Sequence, residues 1–329
     1  MIKDEDPVPT PTGIDIGKYK NATYYREGLF SAIYKAPAAQ DAEYSAESIK
    51  GLVALKVTTP SMMEPPHDSR REARILALSA SQHVIPLLET FHEAGSHYVL
   101  VFPFVPYDFR RLLRDGKMSQ RQIRDTLRDL FIGLEFVHAR GIIHRDIKPS
   151  NIMLKSPDGP AYLADFGISW APNVPGSELA HEKITDVGTT CYRPPELLFG
   201  NKGYGCNLDL WAAGCTVAEA LVLGNSTLFD SGELGSDLAL IQSIFSKLGT
   251  PNLTVWPVST RYILHQLASS TDFMQEAANL PDWGKVQFHE YPAQPWSALL
   301  PNVSDTERDL VSRLVQYESG LRISAAQVR

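Results

Sequence analysis

"HRDIKPSN", His144 to Asn151, is followed by "IML" and then by "ADFG", which ends at Gly167. Asp146 and Asp165 lie 19 positions apart, with Lys148, Asn151 and a candidate pair of short strands between them. Such a strand pair folds the two acids towards one site. Phosphoryl transfer needs this inventory: a carboxylate near the attacking hydroxyl and oxygen ligands for Mg²⁺. It also needs a cation to meet the developing charge. A lone Asp-Phe-Gly is a common accident. The eight-residue string followed at this distance by Asp-Phe-Gly is not. The bland alternative, two surface loops carrying solvated acids, leaves that spacing unexplained.

The bulk properties agree with a folded enzyme. A chain of 329 residues suits two lobes better than one ordinary core, and 43% hydrophobic with 21% charged residues is a globular composition. A net charge of −7 argues against general affinity for nucleic acid. "LWAAGCTVAEALVLG", from Leu210, is interrupted by Glu219 and is too short for a membrane span. Cys191, Cys206 and Cys215 show no metal-ligand spacing and are too few for a disulfide framework, which points to a reducing compartment, the nucleus or cytoplasm.

Residues 1 to 15 are acidic and proline-rich and read as a disordered tail. "SAIYKA", "GLVALKV" and "HYVLVFPFV" read as strands, with one helical stretch, "DSRREARILALSA", among them. "YYREGLFSAIYKA", residues 24 to 36, reads as two strands about a turn, and "LVALK" ends a further strand at Lys56. Past Pro106 the pattern turns helical. Ile123, Leu127, Leu130, Phe131, Leu134 and Val137 recur at helical spacing up to Gly141. Loops are expected at 156–160, 172–183 and 281–303. The expected class is α+β and bilobal: a small β-rich lobe with one main helix, 16–105, a connector near Pro103–Tyr107, and a larger, mainly helical lobe, 106–329.

With these motifs the sequence resembles the protein kinases from about Tyr19 onward. The resemblance implies the bilobal kinase fold, with ATP and Mg²⁺ as cofactors and a protein as substrate. Lys56 in "VALK" is similar to the lysine that grips ATP, and Glu72 in "RREARIL" to its helix partner. Asp146 resembles the catalytic carboxylate, Lys148 the lysine of Ser/Thr-specific members, and Thr189 the threonine bonded to both. Asn151 and Asp165 resemble the Mg²⁺ ligands. The nucleotide pocket implied is Arg26, Gly28 and Ser31 in the hairpin, and Ile33, Ala54 and Met153 as walls. Phe102 lies behind it, Pro103, Phe104 and Val105 form the hinge, and Asp108 lies near the ribose. Glu196 in "RPPE" is implied to pair with Arg322 as a structural contact.

"CYRPPELLFG", "LDLWAAGCTVAEAL" and "IFSKLGTPNLTVWP" resemble the cyclin-dependent kinases of the CMGC branch. Arg193 is the branch's marker, bracing a loop in which Gly188 takes an unusual backbone conformation; a Ser/Thr-Pro preference follows from that resemblance. The departures from the pattern are informative. Of the family's three hairpin glycines only Gly28 remains, with Arg26 and Ser31 at the outer two positions. Leu29 and Phe30 replace a phosphorylatable Thr-Tyr pair. The activating threonine's position falls on Ile184, with Thr185 beside it and Ser177 as a weaker candidate. The arginine cluster keeps Arg71 and Arg145, but Trp170 replaces the third arginine. These absences resemble fungal monomeric kinases that activate cyclin-dependent kinases without cyclin or activating phosphorylation. A kinase that needs a cyclin and a pseudokinase scaffold are the alternatives. At "RISAAQVR" the resemblance implies the start of a helix that continues.

Overall fold

The computed structural model describes residues 13–39, 51–224, 226–252, 255–256, 280–283, 285 and 287–328. Strands β1 (Ile14–Ile16), β2 (Tyr19–Gly28), β3 (Ser31–Pro37), β4 (Leu52–Thr58), β5 (Glu89–Glu93) and β6 (His97–Pro103) form one antiparallel sheet in the order β1-β2-β3-β4-β6-β5. Residues 1–12 of the expected tail lie outside the described residues. Its end is not tail: Ile14 pairs with Ala22 and Ile16 with Tyr19, because the alternation of "IDI" lets Ile16 bury against the sheet.

Strand β4 shows how sequence period becomes site geometry. Successive side chains in a strand point to opposite faces. Val53 and Leu55 are buried with Tyr19, Ala22, Val99 and Val101. Ala54 and Lys56 therefore face the other way. Across the ladders Lys56 stands opposite Ile33 and Leu100, and Ala54 opposite Lys35 and Phe102. Helix α1 (Ser69–Leu78) crosses nearby, its start capped by Asp68, which accepts hydrogen bonds from the amides of Arg70 and Arg71. Glu72 shares the buried face with Ile75 and Leu76, three and four residues on. Helical period thus turns Glu72 inward, towards Lys56.

The larger lobe comprises strands β7 (Tyr107–Asp108), β8 (Ile152–Leu154) and β9 (Ala161–Leu163), with α2 (Phe109–Arg114), α3 (Gln120–His138), α4 (Pro195–Leu198), α5 (Asn207–Leu221), α6 (Asp237–Leu248), α7 (Trp296–Leu299) and α8 (Asp305–Leu314). A capping box joins Ser119 and Gln122 at the start of α3, and Ile123, Leu127, Leu130, Leu134 and Val137 line its buried face. Helix α5 is buried along nearly its whole length. Gly214 permits this, since a Cβ there would lie 2.6 Å from Val315 Cγ2 and 2.9 Å from Leu314 Cβ at the end of α8. No described helix is long and apolar enough to cross a membrane.

Two features of this lobe differ from the sequence reading. Trp296–Leu299 forms a short helix inside the stretch expected to be loop, with Pro295 as its extended N-cap. The end of the chain forms a 3₁₀ turn at Ala325–Gln327, and Arg329 lies outside the described residues. Leu253, Thr254 and Pro257 of the "LGTP…WP" segment lie outside them as well. Glu196, at the start of α4, meets Arg322 in a two-pronged buried pair, 2.6 and 2.7 Å, which locks the C-terminal segment onto α4 and α5.

Candidate active site

A cavity of about 420 Å³ opens between the sheet and the larger lobe. Its volume lies within the range of small-molecule clefts. Arg26, Gly28 and Ser31 from the hairpin, Ile33, Ala54, Phe102 and Met153 from the walls, and Pro103, Phe104 and Val105 from the connector all line it. Among the described residues, the Phe104 amide donates to the Leu52 carbonyl at 3.1 Å, while Val105 has no backbone partner. Val105 therefore offers one donor and one acceptor at the cavity edge. Asp108 is not among the lining residues. Its carboxylate accepts from the Arg111 amide at 2.8 Å and caps α2, the ordinary service of an aspartate before a helical run.

The charged groups converge at the inner end. Lys56 Nζ lies 2.7 and 2.9 Å from the two Glu72 carboxylate oxygens and 3.0 Å from Asp165 Oδ1. Burial works against the Lys56 ammonium, but the charges of Asp165 and Glu72 outweigh it and push its pKa up. The Lys56 charge in turn holds the Asp165 carboxyl well below the usual carboxylate range. The cluster is thus a fixed cation beside a half-exposed anion. Asn151 and Asp165 are brought together by the strand pair between them. Ile152 is opposite Leu163, and the Ala164 amide donates to the Asn151 carbonyl at 2.9 Å.

Asp146 is held from every side. Its Oδ1 accepts from the Thr189 amide at 3.0 Å and the Thr189 hydroxyl at 2.9 Å. Its Oδ2 accepts from Asn151 Nδ2 at 2.9 Å and lies 2.7 Å from Lys148 Nζ. Lys148 also donates to the Thr189 hydroxyl at 2.6 Å. A carboxylate so fixed presents one orientation to an incoming hydroxyl.

Two residues here take positive φ without being glycine, Arg145 at 72° and Asp165 at 65°. Such conformations cost roughly 1–3 kcal/mol each and persist only where neighbours enforce them. For Arg145 the enforcer is Asp209 on α5. Its carboxylate accepts from the amides of His144 and Arg145 at 2.8 and 2.9 Å, and from His138 Nε2 at 2.9 Å. Burial pushes the Asp209 carboxyl up, but the hydrogen bond and charge of His138 prevail and hold it below its ordinary value. Sequence reasoning missed Asp209, although an acid inside the apolar run "LDLWAAGC" signals a buried carboxylate with partners. It missed His67 too, whose ring meets Phe30 at the hairpin tip, 4.8 Å between centroids, and closes the front of the cavity.

Asn151 and Asp165 fit a magnesium ion. Asn151 spends its amide nitrogen on the Asp146 carbonyl and carboxylate, at 2.8 and 2.9 Å, which leaves its amide oxygen to serve as a metal ligand. Among the described residues no cluster of three or more His, Cys, Asp or Glu forms a closed metal cage. Mg²⁺ is held by one or two side chains, with phosphate oxygens and water completing the shell, so an open two-residue site is the appropriate kind.

Around the substrate side, Arg193 donates to the Gly188 carbonyl at 3.1 Å and pairs with Asp186 at 2.7 Å and Asp237 at 3.3 Å. Gly188 has φ +75°, and a Cβ there would fall 2.5 Å from the Arg145 carbonyl oxygen. Gly188→Ala is therefore expected to cost about 1–3 kcal/mol in denaturant unfolding and to raise the KM for a peptide substrate. Unchanged stability together with unchanged KM would show that this conformation matters little. Thr185 makes no contact with the arginine pair. Arg71 and Arg145 do come together, but the carboxylate between them belongs to Glu178, not to a group at Thr185. Trp170, in place of the third arginine, donates its indole N–H to the Glu178 carbonyl at 2.9 Å.

The two lobes and the charges gathered between them define a phosphotransferase. The protein kinase domain family matches residues 27–329. Serine/threonine-protein kinase csk1 of Schizosaccharomyces pombe is 37% identical over 279 residues, covering 82% of this chain and 82% of that protein. Cyclin-dependent kinase 20 of Homo sapiens is 31% identical over 306 residues, 92% of this chain and 78% of that protein. Cyclin-dependent kinase D-1 of Arabidopsis thaliana is 34% identical over 260 residues, 78% of this chain and 57% of that protein. The chain belongs to the protein kinase family, in its cyclin-dependent-kinase-like branch.

Proposed function

We propose that this chain is a serine/threonine protein kinase that moves the γ-phosphoryl group of ATP onto the activation segment of another kinase of the cyclin-dependent branch. The observation that carries this reading is the joined set of Lys56, Glu72 and Asp165 in one cavity with the Asp146–Lys148–Thr189 cluster. Val105 and the apolar walls suit adenine, and Lys56 suits the phosphates behind it. Asp146 accepts the proton of the substrate hydroxyl, and Lys148 meets the charge that develops on the transferred group. Mg²⁺ held by Asp165 and Asn151 supplies neutralisation of the phosphate oxygens. Lys148 favours serine and threonine as acceptors by the resemblance already described.

Leu29 and Phe30 at the hairpin tip remove one inhibitory switch. Helix α1 is held within the chain by bonds from Arg71 to Gly176 and from Arg74 to Pro175. Both support a kinase active as a single chain. The purified chain, given Mg·ATP and a catalytically inactive cyclin-dependent-type kinase, is expected to phosphorylate its Ser/Thr without added cyclin. Thr185→Ala should leave that rate within about twofold. A second reading, a proline-directed kinase that needs a cyclin, is favoured by two exposed apolar side chains, Met62 ahead of α1 and Leu78 at its last position. A strict requirement for added cyclin establishes it and removes the first. The three free thiols, Cys191, Cys206 and Cys215, support a place of action in the nucleus or cytoplasm.

A further inference from the structure

Glu178 lies in the segment that follows Asp165-Phe166-Gly167, far in sequence from both groups it touches. Arg145 grips it with a two-pronged fork, 3.0 and 3.3 Å, and Arg71 Nη1 lies 3.8 Å from Oε2, one of the two oxygens so held. The side-chain exposures are 0% for Arg145, 3% for Arg71 and 16% for Glu178. Two guanidinium groups buried side by side repel, and burial of each is costly without a nearby anion. Burial pushes the Glu178 carboxyl up, but the Arg145 hydrogen bonds and the two arginine charges hold it below its ordinary value, so it is ionised.

The backbone around Glu178 is tied down as well. Arg71 donates to the Gly176 carbonyl at 2.7 Å, Arg74 to Pro175 at 3.0 Å, and Trp170 to Glu178 itself at 2.9 Å. The segment passes so close to the start of α1 that a Cβ on Gly176 would lie 2.5 Å from Asp68 Oδ2.

What the two arginines adjoin matters most. Arg71 precedes Glu72, the partner of Lys56, and Arg145 precedes Asp146. We infer that Glu178 is a positioning residue for phosphoryl transfer: its carboxylate bridges Arg71 and Arg145 and so fixes α1, with Glu72 and Lys56, against the loop that carries Asp146. A charge opposite an arginine cluster orders a loop in the same way when a phosphate supplies it. Here the chain supplies its own anion. The inference rests on the kinase reading above and extends it to how the active geometry is held.

The test uses the full chain with Mg·ATP and a protein substrate, comparing wild type, Glu178→Gln, Glu178→Asp, Glu178→Gly and Asp146→Asn. Glu178→Gln keeps the shape and removes the charge. Its kcat is expected to fall about 10- to 100-fold, since small displacements of catalytic groups carry losses of that order. Glu178→Asp should recover part of the loss, and formate added to Glu178→Gly should restore activity by refilling the space between the arginines. An active wild type matched by Glu178→Gln overturns the inference alone. Variants that lose activity with no rescue by aspartate or formate overturn it too, in favour of a merely structural role. A wild type no more active than Asp146→Asn overturns the kinase reading, and this inference with it.

Discussion

Asp146→Asn lowers kcat by about 10²–10⁴-fold, the usual contribution of a positioned general base, and leaves the fold and nucleotide binding in place. The substitution keeps the size of a side chain that Thr189, Asn151 and Lys148 hold at 2.7–3.0 Å. What it removes is the charge and the basic oxygen that takes the hydroxyl proton. It also turns an amide nitrogen towards donors that already point inward, so the misplacement adds to the loss. Lys56, Glu72 and Asp165 are untouched, so Mg·ATP should still raise the melting temperature. Steady-state kinetics with a fluorescent-nucleotide titration separates these effects. A kcat within tenfold of wild type would show that another group accepts the proton.

Arg322→Ala is the largest expected stability effect. The Glu196–Arg322 pair is buried, with side-chain exposures of 6% and 0%. Arg322 also donates to the carbonyls of Gln316 and Asn207, both at 2.9 Å, and its guanidinium lies 5.2 Å from the centre of the Trp211 ring. Removing one partner leaves Glu196 buried without its counter-charge, which costs about 3–5 kcal/mol. Exposed pairs such as Arg121 with Asp125 are worth well under that, at most about 1 kcal/mol. Calorimetry should show a clear fall in melting temperature for Arg322→Ala. The double replacement Glu196→Leu with Arg322→Met should be milder than the single, because it leaves no lone buried charge. A double variant worse than the single would contradict this reading of the pair.

The features legible in the sequence are those that local chemistry determines. "LVALKVT" alternates, so Lys56 must face away from Val53 and Leu55. Glu72 shares the helical stripe of Ile75 and Leu76. Asn151 and Asp165 flank a hairpin, and the hairpin sets them side by side. Residues whose meaning depends on distant partners were not legible. Glu178 answers Arg71 and Arg145, 107 and 33 positions earlier, and nothing in "PGSELAHEK" announces it. Ile14 belongs to a strand only because Ala22 accepts it across a tight turn. Asp108 caps a helix, a role that depends on that helix starting at Phe109.

The groups around Asp146 are expected to perform transfer rather than merely hold a nucleotide. The decisive measurement is Mg·ATP binding together with labelled γ-phosphate incorporation into protein, on one preparation of the purified chain, beside Asp146→Asn. The expected result is binding by both proteins and incorporation into serine or threonine by the wild type only. Binding by both, with wild-type incorporation no higher than that of Asp146→Asn, would contradict that expectation and leave a nucleotide-holding scaffold in its place.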